Sequence, residues 1–408
     1  MREFRLKRLT RMDRRRDIDI IKGFAIILMV YGHTFCVARD FIYLFHMPVF
    51  IFISGYCFNK AHASDLRSCE GYFFSRVRRL LLPYMGFNIA YALFHNLFLT
   101  WNFYTDKPEF KLAVTPIQLA AQTLYQHRSL KDLVLGAYQV LTLEDIPQMG
   151  SATWFLIVLF LVCVVHCFVA YGIGCISKPL VRKVLWGFLF VIVNGCAWAV
   201  STGLGADADI ADRHLQFFSV YSCYLLGCFV RYLADTEFMS AHIPVPSKQE
   251  QFLEQQTANL GLLERFIGCK ATIIAGPIAF GILLALGRFG TLELSKSFII
   301  NPGFLVVVTI MGVVLLASLA QDLEHSFLGS WLVIIGSHTM SILFLHILAF
   351  KLVSLLYCQI NGIPLHMVAS WPVIFDVSEA VKIEYTLVGI AVPLGVVTIW
   401  EKIKALFR

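Results

Sequence analysis

The chain has 408 residues, is 58% hydrophobic and only 15% charged, and carries a net charge of +7 with a mean hydropathy of +0.71. Soluble proteins hold about 25% charged residues, so this composition excludes an ordinary soluble domain. Apolar runs of roughly 17–25 residues recur evenly along the chain, which predicts one all-α, polytopic membrane domain. The basic excess sits at the ends of those runs, where the positive-inside rule puts it, and gives no nucleic-acid signal.

The opening stretch MREFRLKRLTRMDRRR holds eight Lys or Arg in sixteen positions. It predicts a cytoplasmic tail over 1–17. The apolar run that follows has no clean small-residue cleavage site, so an uncleaved first span is expected. Hydropathy places helix one at about Ile18–Phe35 and helix two at about Phe41–Asn59. Lys60, Arg67, Arg76, Arg78 and Arg79 then mark an inside loop, and helix three covers about Leu80–Trp101. Residues 102–150 are too polar to span and belong outside, with a surface helix near Thr115–Val140.

Helix four covers about Ala152–Ile173 and helix five about Val184–Ser201, joined by an inside turn with Lys178, Arg182 and Lys183. The acidic GLGADADIADRH is external, helix six covers about Phe217–Leu233, and 234–269 forms the longest inside loop. Helices seven to ten follow at about Ala271–Leu286, Ile300–Ala320, Trp331–Leu356 and Tyr385–Trp400. The expected architecture is therefore about ten transmembrane helices, both termini cytoplasmic, in a single domain over 18–404.

Ionisable groups inside apolar helices are costly and mark functional sites. Helix one carries Asp19, Lys22 and His33. Lys22 and His33 are eleven residues apart, which is about 16 Å of rise on nearly one face. Asp19 lies within side-chain reach of Lys22, and an interfacial ion pair fits these two equally well. His46, two residues before Pro48, is expected at the external mouth of helix two, since proline suits a first turn. It reads either as an interfacial cap or as a contact for an external ligand.

Arg76 and Arg79 share a helical face. Arginine's planar fork suits phosphate, while positive-inside anchoring is the plainer reading. In GSHTMSILFLHIL, His338 and His346 are eight residues apart, again on one face, and His346 is the stronger functional candidate. His166 reads as a packing histidine. The eleven cysteines lie mostly within apolar runs, without CxxC pairs or Cys/His zinc spacing, so no metal is expected. There is no GxSxG elbow and no HExxH.

The order DIDIIKGFAIILMVYGH, FHMPVFIFISGYCF, RVRRLLLPY, ATWFL and a late SILFLH resembles the acyltransferase-3 family of polytopic membrane acyltransferases. The FHMP variant resembles its fucose 4-O-acetylase-like branch. The resemblance covers roughly residues 13–400. It implies ten core helices and transfer of an acyl group, commonly acetyl, from cytoplasmic acyl-CoA to a hydroxyl of a cell-surface or lipid-linked glycan at the inner (plasma) membrane. By position it makes His33 the catalytic histidine. Lys22 stands where the family often has arginine, and Arg76 and Arg79 match its RxxR motif, for the CoA phosphates.

The resulting expectation is a site in which Lys22, paired with Asp19, positions the cofactor or the His33 stripe. His33 then serves as general base or transient acyl carrier. His46, Trp154 and His346 contact the acceptor. Acetyl-CoA is the donor, and membrane lipid and the glycan are the partners. The competing reading is a glycan or small-anion transporter or flippase, in which the same groups form a proton relay; no inverted repeat supports it. A purely structural membrane partner is the third reading.

Overall fold

The same hydropathy that predicts spans dictates an all-helical chain. The computed structural model describes residues 2–111, 123–204, 216–235, 272–296 and 299–406, and their regular structure is helical. In chain order the α-helices are α1 (Arg2–Gly32), α2 (Arg39–Tyr56), α3 (Leu66–Arg76), α4 (Leu82–Leu93), α5 (His95–Thr100), α6 (Leu130–Leu141) and α7 (Trp154–Gly174). After them come α8 (Pro179–Ala199), α9 (Gln216–Asp235), α10 (Thr272–Gly287), α11 (Pro302–Leu323), α12 (Phe327–Ser337), α13 (Thr339–Asn361) and α14 (Glu379–Leu406). The acidic loop at 203–214, the inside loop at 234–269 and the start of the expected surface helix lie almost wholly outside the described residues.

Five of the described helices are long and apolar enough to cross a membrane. They are Gln148–Gly174 (α7 with its leading 3₁₀ turn), Pro179–Thr202, Pro302–Leu323, Thr339–Asn361 and Glu379–Leu406. The apolar helices at Ile274–Gly287 and Phe327–Ser337 are shorter.

Three expected spans have different outlines, each for a local reason. Helix one is longer at its start, because α1 runs from Arg2, and it ends at Gly32, so His33 lies in the turn beyond it. Helix three is broken. A π-type turn, Val77–Leu81, precedes α4, which has Pro83 in its first turn. Proline has no N–H and its ring crowds the carbonyl four residues back, which favours such a widened turn. The chain bends again at Phe94 before α5. Helix nine is two helices, because His338 leaves the helical region at φ −114, ψ 22. The preceding Gly336–Ser337 pair is a common kink site, and Ser337 Oγ donates back to the Ile334 carbonyl at 2.8 Å.

The chain forms two units. The first holds Met1–Ala25, Asp40–Arg76 and Val158–Ser337; the second holds Ile26–Arg39, Val77–Ile157 and His338–Arg408. In the first unit, α2 and α9 cross with their backbones nearly touching. A Cβ at Gly55 would strike the Tyr224 carbonyl, and one at Gly227 the Phe52 carbonyl. Lipid tails are as apolar as the side chains, so membrane helices associate through this kind of small-residue packing rather than through a hydrophobic drive. Likewise, α12 lies against α1, with Gly336 facing the Asp19 carbonyl and Gly23 facing that of Leu332.

In the second unit, α13 and α14 pair through Gly389, which leaves room for Phe350, and through Ser354 and Tyr385, whose hydroxyls are 2.8 Å apart. Phe87 of α4 stacks on Phe344 of α13 at 4.3 Å. Surface helix α6 starts at a capping box. Ser129 Oγ accepts from the Asp132 N–H, and the Asp132 carboxylate accepts from Ser129. The Ser129 hydroxyl and N–H hold that carboxyl below its usual range.

Candidate active site

The second unit brings two of the candidate residues together. His33 stands just past α1, its N–H bonded to the Met29 carbonyl at 3.1 Å. Thr34 donates from Oγ1 to the Tyr31 carbonyl at 2.7 Å, and Phe35 takes the left-handed conformation at φ 56. That conformation is uncommon for a bulky residue and persists only where its surroundings enforce it. Glu379, at the start of α14, supplies much of the enforcement. Its carboxylate accepts from Tyr31 Oη at 3.0 Å, from the Val37 N–H at 3.2 Å and from Lys382 Nζ at 2.8 Å. Phe35 also packs on Phe375 at 5.1 Å. The turn carrying His33 is thus pinned on both sides.

His346, on α13, faces it: the two imidazole centroids are 5.2 Å apart at 36°. His346 is fully buried. Its Nδ1 lies 3.0 Å from the carbonyls of both Ile342 and Leu343. A carbonyl only accepts, so Nδ1 carries the hydrogen. Nε2 is left with its lone pair, buried and without a hydrogen-bond partner among the described residues. In this tautomer the ring presents Nε2 as a hydrogen-bond acceptor toward its surroundings. Phe350 closes the far side of the ring edge-on at 5.5 Å. The break at His338 removes the shared face expected for His338 and His346, since His338 caps α13 rather than continuing a helix with it.

Trp154 belongs to the same unit and begins α7, half-buried against Phe155 at 6.1 Å. The turn before it is held by Thr153, whose Oγ1 donates to the Gly150 carbonyl at 2.7 Å and accepts from Asn88 Nδ2 at 3.1 Å.

The other candidates are divided between the units. Asp19 and Lys22 form an ion pair of 3.0 Å in the first unit, as their spacing implied. His46, also in the first unit, is not at a helix mouth. Helix α2 begins at Arg39 and Pro48 is interior, so His46 is a buried mid-helix residue, its Nδ1 donating to the Ile42 carbonyl at 2.8 Å and its ring stacked on Tyr43 at 5.0 Å. The first-turn preference of proline lost here to an apolar segment long enough to stay helical through it.

Arg76 ends α3 in the first unit, while Arg79 is exposed in the π-type turn of the second. The Arg76 guanidinium lies over the Tyr72 ring at 4.7 Å, and its Nε is buried without a partner among the described residues.

Two residues escaped the sequence reading. Glu379 has no motif around it, and its role depends on contacts more than 300 positions away. Lys351 was visible as a lone cation in an apolar helix, which is itself a functional signal. It is fully buried, donates to the carbonyls of Val368 at 3.1 Å and Ser370 at 2.6 Å, and lies 5.4 Å from the Trp371 ring centre. It fastens the 365–371 segment to α13. His166 is the packing residue expected, buried between Phe58 and Trp186 at 4.7 and 5.4 Å. Among the described residues no three His, Cys, Asp or Glu side chains gather as metal ligands.

Comparison with known families matches an acyltransferase domain, the acyltransferase-3 model, over residues 15–380. Neither the curated proteins nor the solved structures gave a match. The match spans both histidines of the pair and every long apolar helix through α13, and on that ground the chain belongs to the acyltransferase-3 family and is a multi-pass membrane acyltransferase.

Proposed function

We propose that this acyltransferase moves an acyl group, acetyl in the first instance, from acyl-CoA to a hydroxyl of a cell-surface or lipid-linked glycan, as in the fucose 4-O-acetylase-like branch. The observation that carries the reading is the imidazole pair, His33 and His346, 5.2 Å apart. In the proposed reaction His33 takes the proton of the acceptor hydroxyl as its oxygen attacks the thioester carbonyl. The tetrahedral intermediate collapses, the C–S bond breaks, and the proton passes to the departing CoA thiolate. His346 supports this step through Nε2, which is placed to accept a hydrogen bond from the His33 imidazolium once His33 holds the proton. A positioned acid or base of this kind contributes about 10²–10⁴ in rate. The Glu379 contacts hold the His33 turn in place for it.

Arg76 and Arg79 are proposed to bind the CoA phosphates. A buried guanidinium N–H without an acceptor supports this for Arg76, because burying an unmade donor costs about 1–3 kcal/mol. Lys22, held by Asp19, is proposed as a further positive charge near the donor. His46 and Trp154 are proposed acceptor contacts. The same reading keeps about ten spans, both termini cytoplasmic, in one domain over 18–404 of the inner (plasma) membrane.

The test is labelled acetyl transfer from acetyl-CoA into membrane glycan, with release of free CoA measured in parallel. Wild type should give both signals, and His33→Ala should lose both at an unchanged protein level. Full transfer by His33→Ala would remove the histidine mechanism. Glycan translocation without CoA release would favour the flippase reading.

A further inference from the structure

The first unit contains a cavity of about 570 Å³ that the acyl-transfer scheme does not use. It lies among α7, α8, α9 and the segment after α2. Its walls are apolar and aromatic, with Phe58, Ile173, Trp186 and Phe229 among them. Among the described residues, four cations also line it, Lys60, Arg182, Lys183 and Arg231, and no Asp or Glu does. Arg182 and Lys183 form no salt bridge among the described residues. Pro179 brings the start of α8 into the wall, and Lys178 gives that helix no side-chain cap. Uncapped N–H groups and the positive end of a helix dipole add to the attraction for an anion.

Arg182 and Lys183 beside an apolar floor do not fit a neutral sugar. They fit a molecule with a phosphate at one end and hydrocarbon behind it. The neighbouring flank of α8 presents Leu180, Val184 and Phe188, all exposed, as a helix in contact with lipid does. These cations also belong to segments that the positive-inside rule assigns to the cytoplasmic leaflet, where anionic lipids attract basic residues. We infer that this cavity is a binding site for an anionic phospholipid of the inner leaflet, its phosphate held by Arg182 and Lys183 and its acyl chains lying along Trp186 and Phe229. The inference depends on the membrane fold and not on the acyl-transfer scheme.

The test uses the full chain, purified in neutral detergent and offered equal amounts of phosphatidylglycerol and phosphatidylcholine, with retained lipid read by native mass spectrometry. Wild type should keep phosphatidylglycerol preferentially. Each basic residue near an anionic lipid is worth about a fivefold preference, so Arg182→Ala/Lys183→Ala should cut the preference by about 25-fold. Lys183→Glu should reduce it as well. Both side chains lie outside the buried core, so the variants are expected to elute as folded protein. Lys402→Ala/Lys404→Ala, on the exposed end of α14, should leave the preference unchanged. Equal retention of the two lipids by wild type overturns the site, as does an unchanged preference in the Arg182/Lys183 variant. Displacement of the lipid by free CoA overturns the lipid assignment and gives the phosphate to the acyl donor instead.

Discussion

Replacing His346 by asparagine separates the basicity of the ring from its structural role. The imidazole uses Nδ1–H to donate to the carbonyl four residues back, Ile342, at 3.0 Å. Asparagines in this protein make the same bond: Asn88 donates to Tyr84 at 2.9 Å and Asn194 to Phe190 at 2.9 Å. His346→Asn can therefore keep the back-bond while removing the Nε2 lone pair. The smaller side chain leaves some space in a fully buried site, and a modest loss of ~1–2 kcal/mol is expected from it, below the cost of a full truncation. If Nε2 supports proton transfer, the turnover number should fall by about 10²–10⁴, equivalent to ~3–5 kcal/mol on the barrier. CoA release and glycan labelling should be measured on membranes matched for protein level, and KM for acetyl-CoA should stay within a few-fold of wild type. A His346→Asn variant that turns over within threefold of wild type would falsify the role given to the pair.

Three further outcomes are expected. Gly227→Leu drives a side chain into the Phe52 carbonyl, and overpacking costs ~1–3 kcal/mol or more where backbone cannot yield; the folded fraction in fluorescence-detected size exclusion should drop, and a normal elution profile would contradict the close α2–α9 crossing. Glu379→Ala frees Tyr31, Val37 and Lys382 together, so turnover should fall about tenfold, a misplacement effect, with KM for the donor unchanged; a pure KM effect would argue against a positioning role. Arg76→Ala should raise the KM for acetyl-CoA about tenfold or more, since charged hydrogen bonds are worth ~1.5–3 kcal/mol, while turnover at saturating donor stays near wild type; an unaffected KM removes Arg76 from the donor site.

The sequence alone determined that the chain is helical and membrane-embedded, because long apolar runs leave the backbone no partner but itself in a bilayer. It also determined which residues are chemically conspicuous: Asp19 and Lys22 pair at i, i+3 by helix geometry alone, and His33 and His346 stand out as imidazoles at or within apolar segments. The family motifs are local strings and were legible for the same reason. Helix ends were less so. The π-type turn before Pro83 and the break at His338 depend on how a few residues balance backbone hydrogen bonds against neighbours. His46 moved from a helix mouth to a helix interior because an apolar segment can absorb a proline. Only the tertiary structure decided that His33 meets His346, that Glu379 pins the turn between α1 and α2, and that Lys351 holds the 365–371 segment. Each of these is a contact across the fold or between separate helices, fixed by packing at small residues such as Gly389, and no periodicity in one segment can report what lies against it in another.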